Sequence, residues 1–333
     1  MSYIEEIQGC RPDSIDEAIL TSARPLVLRG LVADWPIVSE GNKSAAHALE
    51  YLQSFYSGAP LTAYLGGEEN KGRVFYNEDL TGFNFDRARL TLTDVIARLL
   101  HHLDDPSPPT IYVGSTLVDN WLPGFRGEND LSLGLREPLV SVWIGNQSVV
   151  PAHYDFPENI ACAVLGRRRF TVFPPDQLDN LYIGPLDFTP SGQPISLVDF
   201  RNPDFEKFPK FRQALDAAII IDLEPGDALF LPGMWWHHVE ALDSVNILVN
   251  YWWRSSPSYM GAPLDVLKHA LLGLRNLSPE QRKAWQHIFD YYVFNPGDEA
   301  LSHIPEQTRG ILSGVDDTAA RKLRAQLLNN LNQ

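Results

Sequence analysis

The sequence predicts a mainly β protein with flanking helices. Three observations carry that prediction. From Ile111 to Trp252, short runs rich in β-branched and aromatic residues recur, with Gly and Pro turns between them. Helical periodicity is confined to the stretches before and after those runs. A chain of 333 residues, 44% hydrophobic and 11% aromatic, is also long enough to bury a sizeable core and carry an appendage.

Taken in order, Ser14 and Glu17 have the spacing of a capping box for a helix over Ile15–Ser22, and Pro25–Leu28 reads as a strand ended by Gly30. Ala46, Leu49, Leu52 and Phe55 share one helical face, which predicts a helix from Ser44 to Phe55. Leu61–Leu65 alternates as a strand does, and Lys71–Asn77 is a further strand candidate. Thr93 is placed to cap a helix running to Leu103, because Val95, Ile96, Leu99, Leu100 and Leu103 recur at helical steps. The run from Asp104 to Pro109 stops it.

Eight strands are then predicted: Ile111–Val113, Leu139–Ile144, Ile160–Leu165, Phe170–Phe173, Ala218–Leu223, Ala228–Leu231, Trp236–Glu240 and Val245–Trp252. Strands of this length with few helices between them indicate an antiparallel jelly roll or barrel, with Glu224-Pro225-Gly226-Asp227 as one of its turns. Gln177–Ala217 interrupts the series and is too long for a hairpin; loops of this kind often cover a site. Helices are predicted over Leu264–Leu274, Glu280–Tyr292, Pro305–Leu312 and Asp317–Leu331, the second opening on Ser278, Pro279 and Gln281 as N-cap, N1 and N3. The expected division is a β-rich domain with an N-terminal α/β elaboration over residues 1–253 and a helical region over 254–333.

A net charge of −15, from 27 basic and 42 acidic residues without a Lys/Arg-rich run, argues against nucleic acid as a partner. Cys10 and Cys162 lack paired spacing, so neither a disulfide framework nor a cysteine zinc site is expected, and a reducing cytoplasm fits. The first ten residues lack a signal-peptide pattern, and no apolar run approaches the roughly 20 residues of a membrane span. The expectation is a soluble, unexported protein with no membrane partner.

Two stretches concentrate chemistry: Val150–Phe173, which contains PAHYD, and Glu224–Glu240, which ends in LPGMWWHHVE. Alternate side chains of a strand share a face, so His153 and Asp155 project together while Tyr154 turns away. His237 and His238 are neighbours and point oppositely, so at most one can join them. Two imidazoles and a carboxylate, with the opposite face of the octahedron open, make the ligand set of non-haem Fe(II) oxygenases.

PAHYD, the run Gly166–Arg169 leading into FPPDQ, and LPGMWWHHVE followed by VNYWW resemble the JmjC/cupin-like 2-oxoglutarate-dependent hydroxylases, particularly the asparaginyl-hydroxylase type represented by factor inhibiting HIF. The resemblance runs from Pro25 to Trp253 and is dense from Ile111 onward. It implies a double-stranded β-helix holding Fe(II), with 2-oxoglutarate and O2 as co-substrates. It also implies that His153, Asp155 and His237 are the catalytic metal ligands and that His238 is not. By the same resemblance Tyr112, Asn159 and Asn250 help to hold the co-substrate. Arg168 stands where the factor-inhibiting-HIF type has a lysine that pairs with the distal carboxylate of 2-oxoglutarate, a contact a guanidinium can make bidentately. Its parity with Phe170 and Val172 directs it inward, and Arg167 and Arg169 outward. Val150 replaces a threonine that hydrogen-bonds the co-substrate. Trp252 matches a tryptophan beside the iron, on the substrate side.

The implied activity is hydroxylation of an unactivated C–H bond with release of succinate and CO2. A protein or peptide side chain is the preferred substrate and a small molecule the second, with Gln177–Ala217 as one wall of the groove. The resemblance also implies a homodimer built by the C-terminal helices, where Leu264, Leu267, Leu271 and Leu274 form one stripe and Trp285, Ile288, Phe289 and Tyr292 another. Two other readings use the same residues. A metal cupin could act as an isomerase or bind a small acid, against which Arg168 and Asn250 weigh. A non-catalytic interaction protein is the other, against which the intact triad weighs.

Overall fold

Strand-forming sequence builds two sheets in the computed structural model, which describes residues 4–295, 297 and 301–332. Strand β1 (Glu5–Gln8) and the single-turn helix α1 (Glu17–Leu20) precede β2 (Leu26–Arg29), after which come α2 (Pro36–Lys43) and α3 (Ala45–Ser54). Then follow β3 (Leu61–Gly66), β4 (Asp86–Leu90), α4 (Leu92–His101), β5 (Thr110–Leu117) and α5 (Val118–Trp121). The strand-rich half consists of β6 (Leu139–Gly145), β7 (Val149–Tyr154), β8 (Glu158–Leu165), β9 (Arg168–Phe173), α6 (Phe211–Ala217), β10 (Ile219–Leu223), β11 (Ala228–Leu231), β12 (Trp236–Ala241) and β13 (Asn246–Trp253). Helices α7 (Pro263–Leu274), α8 (Pro279–Phe289) and α9 (Asp317–Leu331) belong to a second compact unit; the chain divides into residues 1–255 and 256–333.

The large sheet has the order β1-β2-β11-β8-β13-β6-β5-β3-β4 and the small one β10-β9-β12-β7, with every pairing antiparallel except β1 with β2. Between them lies the interior of a double-stranded β-helix. Ala161, Ala163, Leu229 and Leu248 of the large sheet meet Phe170, Val172, Ile219, Ile221 and Val239 of the small one. The other face of the large sheet buries Val142, Cys162, Phe230 and Val249 under Leu49 and Leu52 of α3 and Val95 and Leu99 of α4. Burying each such side chain is worth about 1.5–3 kcal/mol, which makes this two-sided sheet the main source of stability.

Several local expectations change. Helix α1 is capped by Asp16, whose carboxylate accepts from Ala18 N–H, whereas Ser14 is drawn into an isolated bridge with Arg11. Helix α4 starts two residues early, because Thr91 and Asp94 form a reciprocal capping box while Thr93 accepts from Gln53. Lys71–Asn77 makes only single bridges, Arg73 with Val149 and Tyr76 with Phe83, so it is not a regular strand. Pro305–Leu312 is not an α-helix but two 3₁₀ turns, Glu306–Thr308 and Gly310–Ser313, the second opening on Gly310 at φ +56. Beyond α8 the chain winds as one π-helical turn, Asp290–Phe294.

Part of the 177–217 segment backs the small sheet. Leu181, Val198, Phe211 and Ala214 pack on Ala152, Phe173 and Trp236, covering the outer face of the small sheet.

The turn Glu224–Asp227 is tied to β2 by one carboxylate. Asp227 accepts from Gly30 N–H at 2.8 Å, from Arg29 Nη1 at 2.7 Å and from Glu224 N–H at 3.2 Å. Asp227→Ala should cost about 2–3 kcal/mol, since charged hydrogen bonds at a largely buried site are lost together. Urea unfolding monitors this, and an unchanged midpoint would show that the turn stands without the carboxylate.

Candidate metal centre

Antiparallel pairing of β7 with β12 sets His153 directly opposite His237, and Asp155 follows one residue beyond the end of β7. The imidazole centroids are 4.2 Å apart and His237 Nε2 lies 3.7 Å from Asp155 Oδ2. One ligand atom from each of the three residues falls within 4.8 Å of the other two, the one such cluster among the described residues. Both rings are oriented by backbone: His153 Nδ1 lies 2.9 Å from the Pro151 carbonyl and His237 Nδ1 lies 3.1 Å from the Trp235 carbonyl. An imidazole that donates through Nδ1 keeps its Nε2 lone pair for a metal. Burial, reinforced by neighbouring His153, pushes His237 down to about 4, so it is the neutral, ligating form at pH 7.

His238 belongs elsewhere. It stacks on Phe200 at 4.3 Å on the outer side of the small sheet, and neither ring nitrogen has a hydrogen-bond partner. Burial, with Arg201 and Arg73 nearby, pushes it down to about 3.

Deeper in the β-helix is Arg168, buried to 4% exposure, with an Nε that lacks a hydrogen-bond partner. Among the described residues it has no ion pair, while its neighbours do: Arg167 pairs with Asp243 and Arg169 with Asp222. Burial pushes Arg168 down to about 10, opposed by Tyr112. The Tyr112 phenol is raised by burial and feels Arg168, Tyr64 and Asp155 in turn, so it stands within electrostatic reach of both the cation and the triad. Trp143 N–H donates to Asn250 Oδ1 at 2.6 Å, and the Asn250 amide donates to Asn159 Oδ1 at 3.4 Å. Trp252 meets Trp143 edge-on at 5.8 Å, and its indole N–H has no partner. Val150 packs into the interior beside Trp143. Trp143 itself escaped the sequence reading, although its alternation with Val142 and Ile144 marks it as facing the other side of the sheet from them.

The residues fit the groups implied. Two imidazole nitrogens and one carboxylate oxygen suit Fe(II). A buried guanidinium without an anion is costly, and a carboxylate-bearing co-substrate would supply the missing partner.

The two depressed histidines set a pH dependence. An unfolded histidine gains its proton near pH 6.5, whereas His237 and His238 resist protonation in the fold until about 4 and 3. Their contribution to stability is therefore present above about pH 6.5 and lost as pH falls toward those values. Urea midpoints should decline across that window in the metal-free protein. In His238→Phe, which keeps the stack on Phe200, the decline should be shallower; an identical slope would contradict the assignment.

Residues 12–259 match the family described as a Cupin-like domain. The chain is 27% identical over 263 residues to HSPB1-associated protein 1 of Rattus norvegicus, covering 74% of this chain and 52% of that protein. It is 27% identical over 240 residues to lysine-specific demethylase 8 of Xenopus tropicalis, covering 70% and 49%. Lysine-specific demethylase JMJ31 of Arabidopsis thaliana is 24% identical over 304 residues, with coverage of 79% and 53%. This chain thus spans about half the length of these relatives. With its two-sheet β-helix, its His-Asp-His cluster and this match over residues 12–259, the chain belongs to the cupin-like, JmjC-type family.

Proposed function

We propose that this chain is an Fe(II)- and 2-oxoglutarate-dependent oxygenase that hydroxylates an unactivated C–H bond of a protein or peptide side chain. One observation carries the reading: an iron-type donor set and an anion-lacking buried guanidinium share the interior of one β-helix. An isomerase or simple acid-binding cupin has no evident need of both. Relatives named as lysine-specific demethylases and as HSPB1-associated proteins support a protein substrate over a small molecule.

His153 and His237 would hold the metal through Nε2, and Asp155 through one carboxylate oxygen. Bound Fe(II), with 2-oxoglutarate and O2, would supply oxidative decarboxylation to succinate and CO2 coupled to hydroxylation. Arg168 would pair with the distal carboxylate. On β9 it is four residues from Val172, which lies beside His237, a separation of roughly 13 Å along the strand that the arginine side chain and a five-carbon dicarboxylate span together. Tyr112, kept protonated by burial, would donate its O–H, while Asn159 and Asn250 orient the co-substrate from the large sheet. Trp252 would face the substrate. The apolar walls exclude water around these groups.

A cytoplasmic setting is part of the proposal, since Cys10 and Cys162 are free thiols. No helix among the described residues is long and apolar enough to cross a membrane.

Decarboxylation of labelled 2-oxoglutarate tests the reading. His153→Ala, Asp155→Ala and His237→Ala should each abolish it, and His238→Ala should keep a measurable share. Arg168→Met should raise the 2-oxoglutarate requirement by about a hundredfold or more, the equivalent of losing about 3–5 kcal/mol, and leave the Fe(II) requirement unchanged. Turnover undiminished in Asp155→Ala would overturn the proposal.

We further propose a homodimer through the C-terminal helices. In the chain alone Leu267, Trp285, Ile288 and Tyr292 are 41–48% exposed, and Val266, Leu272 and Phe294 more so. Exposed apolar stripes on this scale ask for a covering surface. Light scattering at low micromolar concentration should return twice 37.4 kDa; a mass of 37.4 kDa itself would defeat the dimer.

A further inference from the structure

The turn that leads into β12 touches two of the three triad residues. It runs from Pro232 to Trp235, whose N–H points back to the Pro232 carbonyl at 3.4 Å. Met234 occupies its third position at φ +69, the geometry of a type II turn, where Gly or Asn is the usual occupant. An unbranched side chain is thus held in a backbone region it rarely adopts. The backbone it imposes has two consequences. Met234 N–H donates to the Asp155 carbonyl at 2.7 Å, and the next carbonyl, that of Trp235, accepts from His237 Nδ1 at 3.1 Å.

Gly233 allows the close approach. A Cβ at this position would lie 2.4 Å from the carbonyl oxygen of Phe156, the residue following Asp155, and 3.5 Å from the carbonyl carbon of Pro157. The obstacle is backbone, which cannot swing aside as the end of a side chain can. A methyl group at 233 therefore has to push the 155–157 segment away. Asp155 needs such an external hold, because pairing of β7 with β12 ends at Tyr154 and Trp236, one residue short of it.

We infer that residues 232–235 are a positioning device for the metal centre, in which Gly233 admits the turn against Phe156 and the left-handed Met234 aims its N–H at Asp155. The turn thereby fixes the separation between the Asp155 carboxylate and the His237 imidazole. The inference rests on the metal-binding reading above. Gly233 and Met234 are positioning residues, acting through Asp155 and His237.

Co(II), a spectroscopic substitute, provides the test without turnover. The purified full chain is titrated with Co(II) and followed by its visible ligand-field bands, and the Met234 amide is followed by hydrogen exchange in the metal-free protein. The wild type should bind Co(II) and protect that amide. Gly233→Ala should weaken Co(II) binding by about tenfold or more, shift the bands and lose the protection while far-ultraviolet dichroism stays unchanged. Met234→Gly, which adopts positive φ freely, should retain wild-type affinity and bands. Met234→Val, whose branched Cβ opposes that φ, should weaken binding in the same direction, and it decides the matter if Gly233→Ala does not fold. Folded Gly233→Ala and Met234→Val proteins with wild-type affinity and bands would overturn the device. Failure of the wild type to bind Co(II) would overturn the metal reading and the device together.

Discussion

Everything at the candidate site depends on the register of one strand pair. Directly opposed residues in an antiparallel ladder have Cβ atoms about 4.5–5.5 Å apart, so opposing His153 to His237 brings two imidazoles to ligand separation without any loop. A slip of one residue would turn the ring of the slipped strand out of the interior and part the pair. Packing on both faces prevents it. Inside, Phe170, Val172 and Val239 meet the large sheet. Outside, Tyr154 meets Trp236 edge-on at 4.9 Å, and the 181–214 stretch buries that face. The long insertion thus serves the site from behind. A register shift between His237 and Val239 accommodates the extra residue of β7 around Pro151, which has no N–H to offer the ladder.

Strand alternation also sorts the charges. Arg167, Arg169 and Arg168 are consecutive and chemically identical, yet the first two pair with Asp243 and Asp222 at the surface while the third is enclosed. An interior cation without its anion is expensive, so its persistence points to a ligand rather than to stability. His237 shows the converse. Buried and neutral, it costs less and is already in the protonation state a metal requires.

Periodicity made the strands of the β-helix and the inward direction of Arg168 legible, because both follow from local alternation. The triad followed from the same rule once His153 and Asp155 were set on one face, with the choice of His237 over His238 coming from family likeness. What escaped depends on partners distant in sequence. The start of β7, up to Pro151, was hidden by that proline, and β4, with the sequence DRARL, is a charged edge strand whose pairing lies with β3 alone. Helix α2 has a weakly patterned, polar sequence and follows from Pro36 at its first turn. Caps at Asp16 and Thr91 in place of Ser14 and Thr93 reflect competition among nearby polar side chains, which tertiary contacts decide. The hold of Met234 on Asp155 left no sequence signal beyond a glycine beside a methionine.

Interior chemistry and partner choice are separable in this molecule. The inner positions of the β-helix are taken up by the His-Asp-His cluster, by Arg168, Tyr112 and the asparagine pair, and by aliphatic packing. The helices of the C-terminal unit bury little of their own apolar area; among its described residues Ala320 is the one buried side chain. Helices of this kind owe their stability to whatever covers them, since amphipathic segments of 11 to 15 residues are marginal in isolation. A surface that must be covered for its own helices to persist is also one that couples folding to association.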